Sequence, residues 1–190
     1  MENIRVMLVG DDDLFWKKHL AKQLREEADM NVIHIAATRE EAVEAADCLA
    51  PDVILIDIHL SPNQYEGLEA AKQISLIGNS KLIILTSAPE NNVIIQAFQL
   101  GAINCLTKSS IPEIVKAIRD AYHNSSPIHR DVAGIIRNEL RLMLLTPSER
   151  EVYDLYRSGL NKTQISEKMH KSFNTIKTQL KSIKSKLLIR

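Results

Sequence analysis

The chain has 190 residues, 45% of them hydrophobic and 25% charged, and its formal net charge is zero. That length suits two small domains better than one large one, and the composition is that of an ordinary globular protein. No apolar run is long enough for a membrane span or a signal peptide, and Cys48 and Cys105 show no pairing pattern, so a cytoplasmic, reducing setting is expected.

From the start to about residue 120, short apolar runs alternate with helical stretches. Strands are predicted at 4–9, 32–36, 53–56, 82–85 and 103–106, and helices at about 14–27, 39–48, 66–77, 91–100 and 112–123. The runs at 4–9, 53–56 and 82–85 are nearly continuous in apolar residues, as strands covered on both faces require. Five strand–helix repeats predict a doubly wound α/β domain of flavodoxin-like type. Residues 124–127, Asn-Ser-Ser-Pro, read as a turn-rich break, and a helical segment at about 131–143 follows. Thr146, Pro147 and Glu149 then form a strong helix start with a capping box. Gly159 ends that helix, Asn161 with Gln164 starts another, and Ser172 caps a third. The expected organisation is an α/β domain at 1–123, a linker at 124–141 and an all-α domain of about four helices at 142–190, of helix-turn-helix type.

The zero net charge hides an asymmetry. Residues 1–140 hold 13 Lys and Arg against 20 Asp and Glu, whereas residues 141–190 hold 11 against 4. A basic C-terminal domain fits either a solvated lysine-rich face or a polyanion-binding surface. In the last helix Ile176, Leu180, Ile183 and Leu187 make one buried face. Lys177, Lys181 and Lys184 repeat the same spacing one position on, rotated by roughly 100°. Such a helix buries one side and offers cations to a major groove, where lysine donates to guanine edges or phosphates. Thr178 is suited to a thymine methyl, and Lys184 and Lys186 to phosphate contact or plain solvation.

Doubly wound sheets bind ligands beyond the carboxyl ends of their strands. The residues there are Asp11, Asp12 and Asp13, then Asp57, Thr86 with Ser87, and Lys108. Packed carboxylates repel unless a divalent cation neutralises them, and Mg²⁺ accepts one or two carboxylates while keeping water and phosphoryl ligands. An Asp at such a metal can attack a phosphoryl donor and become an aspartyl phosphate, with Lys108 and Thr86 supporting the phosphoryl group.

The stretches MLVGDDD, PDVILIDIHL, LIILTSA and GAINCLTKSS resemble the receiver domains of two-component response regulators over residues 4 to about 122. This resemblance implies Asp57 as phosphoacceptor, with Asp11, Asp12, Asp57 and the backbone carbonyl of His59 as metal ligands. Thr86 is the implied switch hydroxyl and Lys108 the phosphoryl-binding lysine. The pattern departs from the family in three places. Counting from the first strand puts Gly10 and Asp11 at the acidic pair, while counting back from the first helix puts Asp11 and Asp12 there. Cys105 stands where the family has an aromatic switch residue. The loop between Asp57 and Gly67 carries two extra residues.

Residues 145–187, from LTPSEREVYDLYRSGL to the last helix, closely resemble the output domain of the NarL/LuxR class. The resemblance implies that Lys177, Thr178 and Lys181 face bases and that Thr175 and Gln179 lie nearer the DNA backbone. Gln179 replaces the family's common His. The expected protein is thus a DNA-binding transcriptional response regulator and not an enzyme. Its implied partners are a sensor histidine kinase, DNA and a second copy of the chain. The fourth helix–fifth strand–fifth helix face and the end of the last helix are candidate dimer surfaces. Two alternatives stand beside it: a regulator of the same architecture that acts without phosphorylation, and an Asp-nucleophile phosphatase with a basic tail. The second would need an acid two residues after Asp57, where the sequence has His59.

Overall fold

The computed structural model describes residues 3–10, 14–58, 60, 66–87, 90–108, 110–125 and 127–188, and the chain forms two compact units, Met1–Ile135 and Ile136–Arg190.

In the first unit five parallel strands, β1 (Ile4–Val9), β2 (Met30–Ala36), β3 (Val53–Asp57), β4 (Lys81–Thr86) and β5 (Ala102–Thr107), pair in the order β2-β1-β3-β4-β5. They alternate with α1 (Leu14–Glu26), α2 (Arg39–Leu49), α3 (Glu66–Ile77), α4 (Asn91–Gln99) and α5 (Ile111–Tyr122). All five residues of β3 are buried, and so are the last five of β4, because helices cover both faces of the sheet. One core cluster joins Val6, Leu8, Leu55 and Ile83 of the strands to Leu20 and Leu24 of α1 and Ile114 and Ile118 of α5. Arg119 of α5 closes the far side, donating to both carboxylate oxygens of Asp29 at 2.7 and 2.8 Å and to Glu27 at 2.6 Å.

The flavodoxin-like expectation holds, with one shift of detail that matters. Sequence periodicity ends β3 at residue 56 and β4 at 85, because Asp57 and Thr86 are polar. Both are in fact the last residues of their strands, paired with Leu85 and Thr107 in the sheet register.

The segment after α5 is anchored to the edge strand. Asn104 of β5 is buried, its Nδ2 donates to the Pro127 carbonyl at 3.0 Å, and its Oδ1 accepts from the His129 and Cys105 N–H groups, each at 3.0 Å. An edge strand exposes unpaired backbone groups, and here a side-chain amide ties the passing chain to that edge. The helix α6 (Arg130–Leu142) follows, and the division between the two units falls within it.

The second unit packs α7 (Pro147–Arg157), α8 (Lys162–Lys168) and α9 (Phe173–Leu187) around Leu142, Leu145, Val152, Ile165, Ile176, Leu180, Ile183 and Leu187. The predicted start signals form as expected: Thr146 with Glu149 and Asn161 with Gln164 make capping boxes, and Ser172 accepts from the Thr175 N–H at 3.1 Å. Met169 packs against the same core, a structural role like that of Ile165.

Glu149 does more than cap. Its carboxylate also accepts from Ser182 Oγ at 2.6 Å and Lys186 Nζ at 2.6 Å, which ties the start of α7 to the end of α9. The Lys186 ammonium, then Ser182 and the Thr146 N–H, hold the Glu149 carboxyl down at about 2. A depressed carboxyl stabilises the fold fully above its unfolded value near 4.5, and that contribution fades as pH falls toward 2. We expect Glu149→Gln to destabilise the second unit by about 2 kcal/mol at neutral pH. This lies below the ~3–5 kcal/mol of a fully buried pair because the Lys186 side chain is 35% exposed. Hydrogen exchange of α7–α9 against pH checks it: the wild type should lose protection between about pH 4.5 and 2 more steeply than the variant.

Candidate functional site

The carboxyl ends of β3 and β4 and the turn after β5 converge on one edge of the sheet. Asp57 is 5% exposed and forms an ion pair with Lys108, whose side chain is 16% exposed. The backbone N–H of Lys108 donates to the Thr86 carbonyl at 3.0 Å, so the lysine is fixed to the end of β4 as well as to its own strand. Thr86 is itself buried. Sequence reasoning names these three residues, and the structure brings them to the same end of the same sheet.

Two glycines shape the space around Asp57. Gly67, at the start of α3, donates its N–H to the Ile58 carbonyl at 3.2 Å. A Cβ built there would lie 2.0 Å from the Asp57 carbonyl oxygen and 2.8 Å from the Ile58 Cα. Glycine is required at this point because α3 presses directly on the backbone that carries Asp57. Gly10 differs. The β1–β3 register pairs Val9 with Ile56, so Gly10 continues level with Asp57. A Cβ on Gly10 would sit 3.8 Å from the Asp57 Cβ and 3.6 Å from the Cδ of Lys17, an ordinary contact distance. Lys17 of α1 donates to the Gly10 carbonyl at 2.8 Å.

Asp11, Asp12 and His59 lie outside the described residues, as do residues 61–65 of the longer loop. Among the described residues no group of three or more His, Cys, Asp or Glu is placed to hold a metal ion. Asp57 supplies the hard oxygen donors that suit Mg²⁺, and Gly10 beside it supplies no side-chain donor.

Cys105 is fully buried in β5, and burial pushes its thiol up to about 12. It is a small neutral core residue, without the ring that could pivot between buried and exposed positions. Cys48 is exposed, and both cysteines are free.

In the second unit Thr175, Lys177, Thr178, Lys181 and Lys184 are all exposed along α9. Lys177, Thr178, Lys181 and Lys184 line a groove together with Tyr156 of α7, Lys162 of α8 and Asn174. The structure adds Tyr156 and Lys162 to the residues named from the sequence. The available signal for them was an exposed aromatic on the polar side of α7 and a lysine in the first turn of α8. Thr175 is engaged in the α9 cap through Ser172 Oγ at 2.8 Å. Gln179 turns inward and donates to Ser148 Oγ at 2.7 Å, beside Lys171, which donates to the same oxygen at 2.5 Å. Lys186, paired with Glu149, is likewise committed within the unit and is not the purely solvated cation its sequence position suggests.

The family model of the response regulator receiver domain matches residues 6–119, more than half of the chain. LiaR, a transcriptional regulatory protein of Bacillus subtilis (strain 168), is 33% identical over 97% of this chain and 90% of its own length. The chain belongs to the two-component response regulators, in the NarL/LuxR class. The response regulator protein VraR of Staphylococcus saprophyticus is 29% identical over 98% of this chain and 91% of its own. Among solved structures, a LuxR-family response regulator from Aurantimonas sp. SI85-9A1 matches with 26% identity and a TM-score of 0.65, over 73% of this chain and 98% of that one. RcsB, solved as two dimers bound to two parallel DNAs, shares the fold at 21% identity and a TM-score of 0.68, over 100% of this chain and 94% of that one. In this response regulator Asp57 occupies the carboxyl end of the central strand of the receiver sheet.

The close approach at Gly67 sets a measurable requirement. Gly67→Ala should lose about 2–4 kcal/mol in chemical denaturation, because the new methyl meets backbone and not a yielding side chain. Gly134→Ala is the control: it lies inside α6 with nothing within 4 Å of the added Cβ and should gain up to ~1 kcal/mol. Equal effects of the two substitutions would contradict the geometry.

Proposed function

We propose that this response regulator is a DNA-binding transcriptional regulator switched by phosphoryl transfer to Asp57. The observation that carries the reading is the buried Asp57–Lys108 pair at the open end of a parallel sheet, in the same chain as the exposed lysine row of α9. A buried carboxylate meets a lysine there, and parallel sheets bind ligands at that end. In the transfer, an Asp57 carboxylate oxygen forms a bond to phosphorus while the donor's bond to phosphorus breaks and its leaving group takes the electron pair. Lys108 then balances charge on the phosphoryl oxygens and Thr86 offers a hydroxyl to them. Mg²⁺, held by Asp57 with Asp11, Asp12 and the His59 carbonyl, would neutralise charge on the phosphoryl group during transfer. The donor partner is a sensor histidine kinase.

In the second unit Lys177, Thr178 and Lys181 face bases in a major groove, while Thr175 and Lys184 serve the phosphate backbone. Tyr156 and Lys162 extend that surface. Gln179 acts by fixing α9 against Ser148. Two copies bind two half-sites, since one domain of this size makes a modest interface. The transcriptional name of LiaR and the DNA-bound assembly of the RcsB fold accord with this reading, and so does a regulatory rather than enzymatic role. Free thiols, and the absence among the described residues of a helix able to cross a membrane, accord with action in the cytoplasm.

A second reading, DNA binding without phosphorylation, is favoured by Gly10 beside Asp57 and by the buried Cys105. Gel-shift titration of the full chain with and without acetyl phosphate and Mg²⁺ separates the two. The first reading expects affinity to rise at least several-fold on phosphorylation of the wild type and not of Asp57→Asn; equal affinities favour the second. In either case Lys177→Ala/Lys181→Ala should bind at least about tenfold more weakly. If both lysines contact phosphates, the double variant should also flatten the log–log salt slope by about 2.

A further inference from the structure

Lys17 stands in the second turn of α1, and its side chain runs back to the carboxyl end of β1, where Nζ donates to the Gly10 carbonyl at 2.8 Å. Gly10 itself is held in line with the sheet by its N–H bond to the Ala36 carbonyl at 3.1 Å. The empty side-chain position of Gly10 is therefore flanked on one side by the Lys17 stem, at 3.6 Å, and on the other by the Asp57 Cβ, at 3.8 Å.

We propose that Lys17 is a second cationic arm of the Asp57 pocket, reaching the phosphoryl group through the gap that Gly10 leaves. This rests on the reading of Asp57 as phosphoacceptor. The lysine is partly buried, and among the described residues its ammonium donates to a neutral carbonyl. Leaving that carbonyl costs about one ordinary hydrogen bond, and a four-carbon stem swings readily between rotamers. A phosphoryl group on Asp57 carries about −1.5 to −2 charges, more than Lys108 alone balances. A charge-assisted bond from Lys17 gains more than the neutral bond it gives up. At Gly10 a carboxylate would have stood between the two and paired with Lys17; glycine leaves the cation available to the acceptor. Lys17 thus supplies, from the protein, part of the charge compensation that a site with an acid in place of Gly10 would draw from its metal.

The test uses the full chain with acetyl phosphate as donor, intact mass as the measure of phosphorylation, and Mg²⁺ as the titrant. Lys17→Gln should be labelled roughly three- to tenfold more slowly at low Mg²⁺, with the half-saturating Mg²⁺ concentration raised by a similar factor. Lys17→Arg should keep both near the wild type. Thermal stability should fall by no more than the loss of one ordinary hydrogen bond, to the Gly10 carbonyl, since Gln and Lys have similar helix propensity; Lys17→Met serves as a second neutral variant. Wild-type rate and Mg²⁺ midpoint in both neutral variants would overturn the role of Lys17 while leaving Asp57 in place. Failure of the wild type to be labelled, or labelling of Asp57→Asn, would instead overturn the phosphoacceptor reading and this inference with it.

Discussion

A carboxylate taken out of water at the end of a central strand costs several kcal/mol unless a cation and hydrogen bonds meet it. Asp57 is in that position, and the surrounding structure is organised around its pairing with Lys108. The parallel register of β3, β4 and β5 brings three strand ends to one level, and the Lys108 N–H bond to Thr86 holds the lysine in reach. The glycine at the start of α3 lets that helix press on the backbone of Asp57 and Ile58. A pair of well-packed apolar residues would satisfy the same space at least as well. Stability alone is therefore a weak reason for the pair, which accords with the chemical role proposed for it.

Glu149 is the instructive contrast. It too is a buried acid met by a lysine, but every oxygen is spent on partners inside its own unit: the Thr146 N–H, Ser182 and Lys186. It sits in a helix cap, and it clamps α7 onto α9. Similar structural use removes Lys171 and Lys186 from the pool of cations that the sequence offers. The basic excess of residues 141–190 thus overstates the charge free to meet an anion. Of the cations that remain, Lys177, Lys181 and Lys184 with Lys162 lie along one groove.

The alternation of apolar runs and helical windows made the five strands, the parallel sheet and the helix starts of the second unit legible from sequence, because burial on two faces and capping both leave local patterns. Asp57, Thr86 and Lys108 were legible for the same reason: topology dictates which end of each strand matters. What escaped depends on contacts distant along the chain. The strand ends at Asp57 and Thr86 ran one residue past the apolar pattern, since backbone pairing continues where hydrophobicity stops. Asn104 looked like an ordinary polar residue in an edge strand, and only the fold shows Pro127 and His129 against it. Gln179 lay on the recognition helix in the expected register, yet a hydrogen bond to Ser148, thirty-one residues earlier, turns it inward. Lys17 carried no periodic signal at all.

β5 is where these threads meet. Asn104 holds the chain that leads into α6, Cys105 packs in the core, and Lys108 follows at the strand's end and pairs with Asp57. Lys108 and Asn104 stand four residues apart, joined by β5, with no aromatic ring between them. With Cys105 buried and small, the rotation of an aromatic side chain is not available as a relay here. What joins Lys108 to the chain leading into α6 is the backbone of β5 and the Asn104 amide. Two of its three hydrogen bonds, to the Pro127 carbonyl and from the His129 N–H, hold residues 127–129 on the receiver edge, and the third, from the Cys105 N–H, fixes the amide to β5 itself.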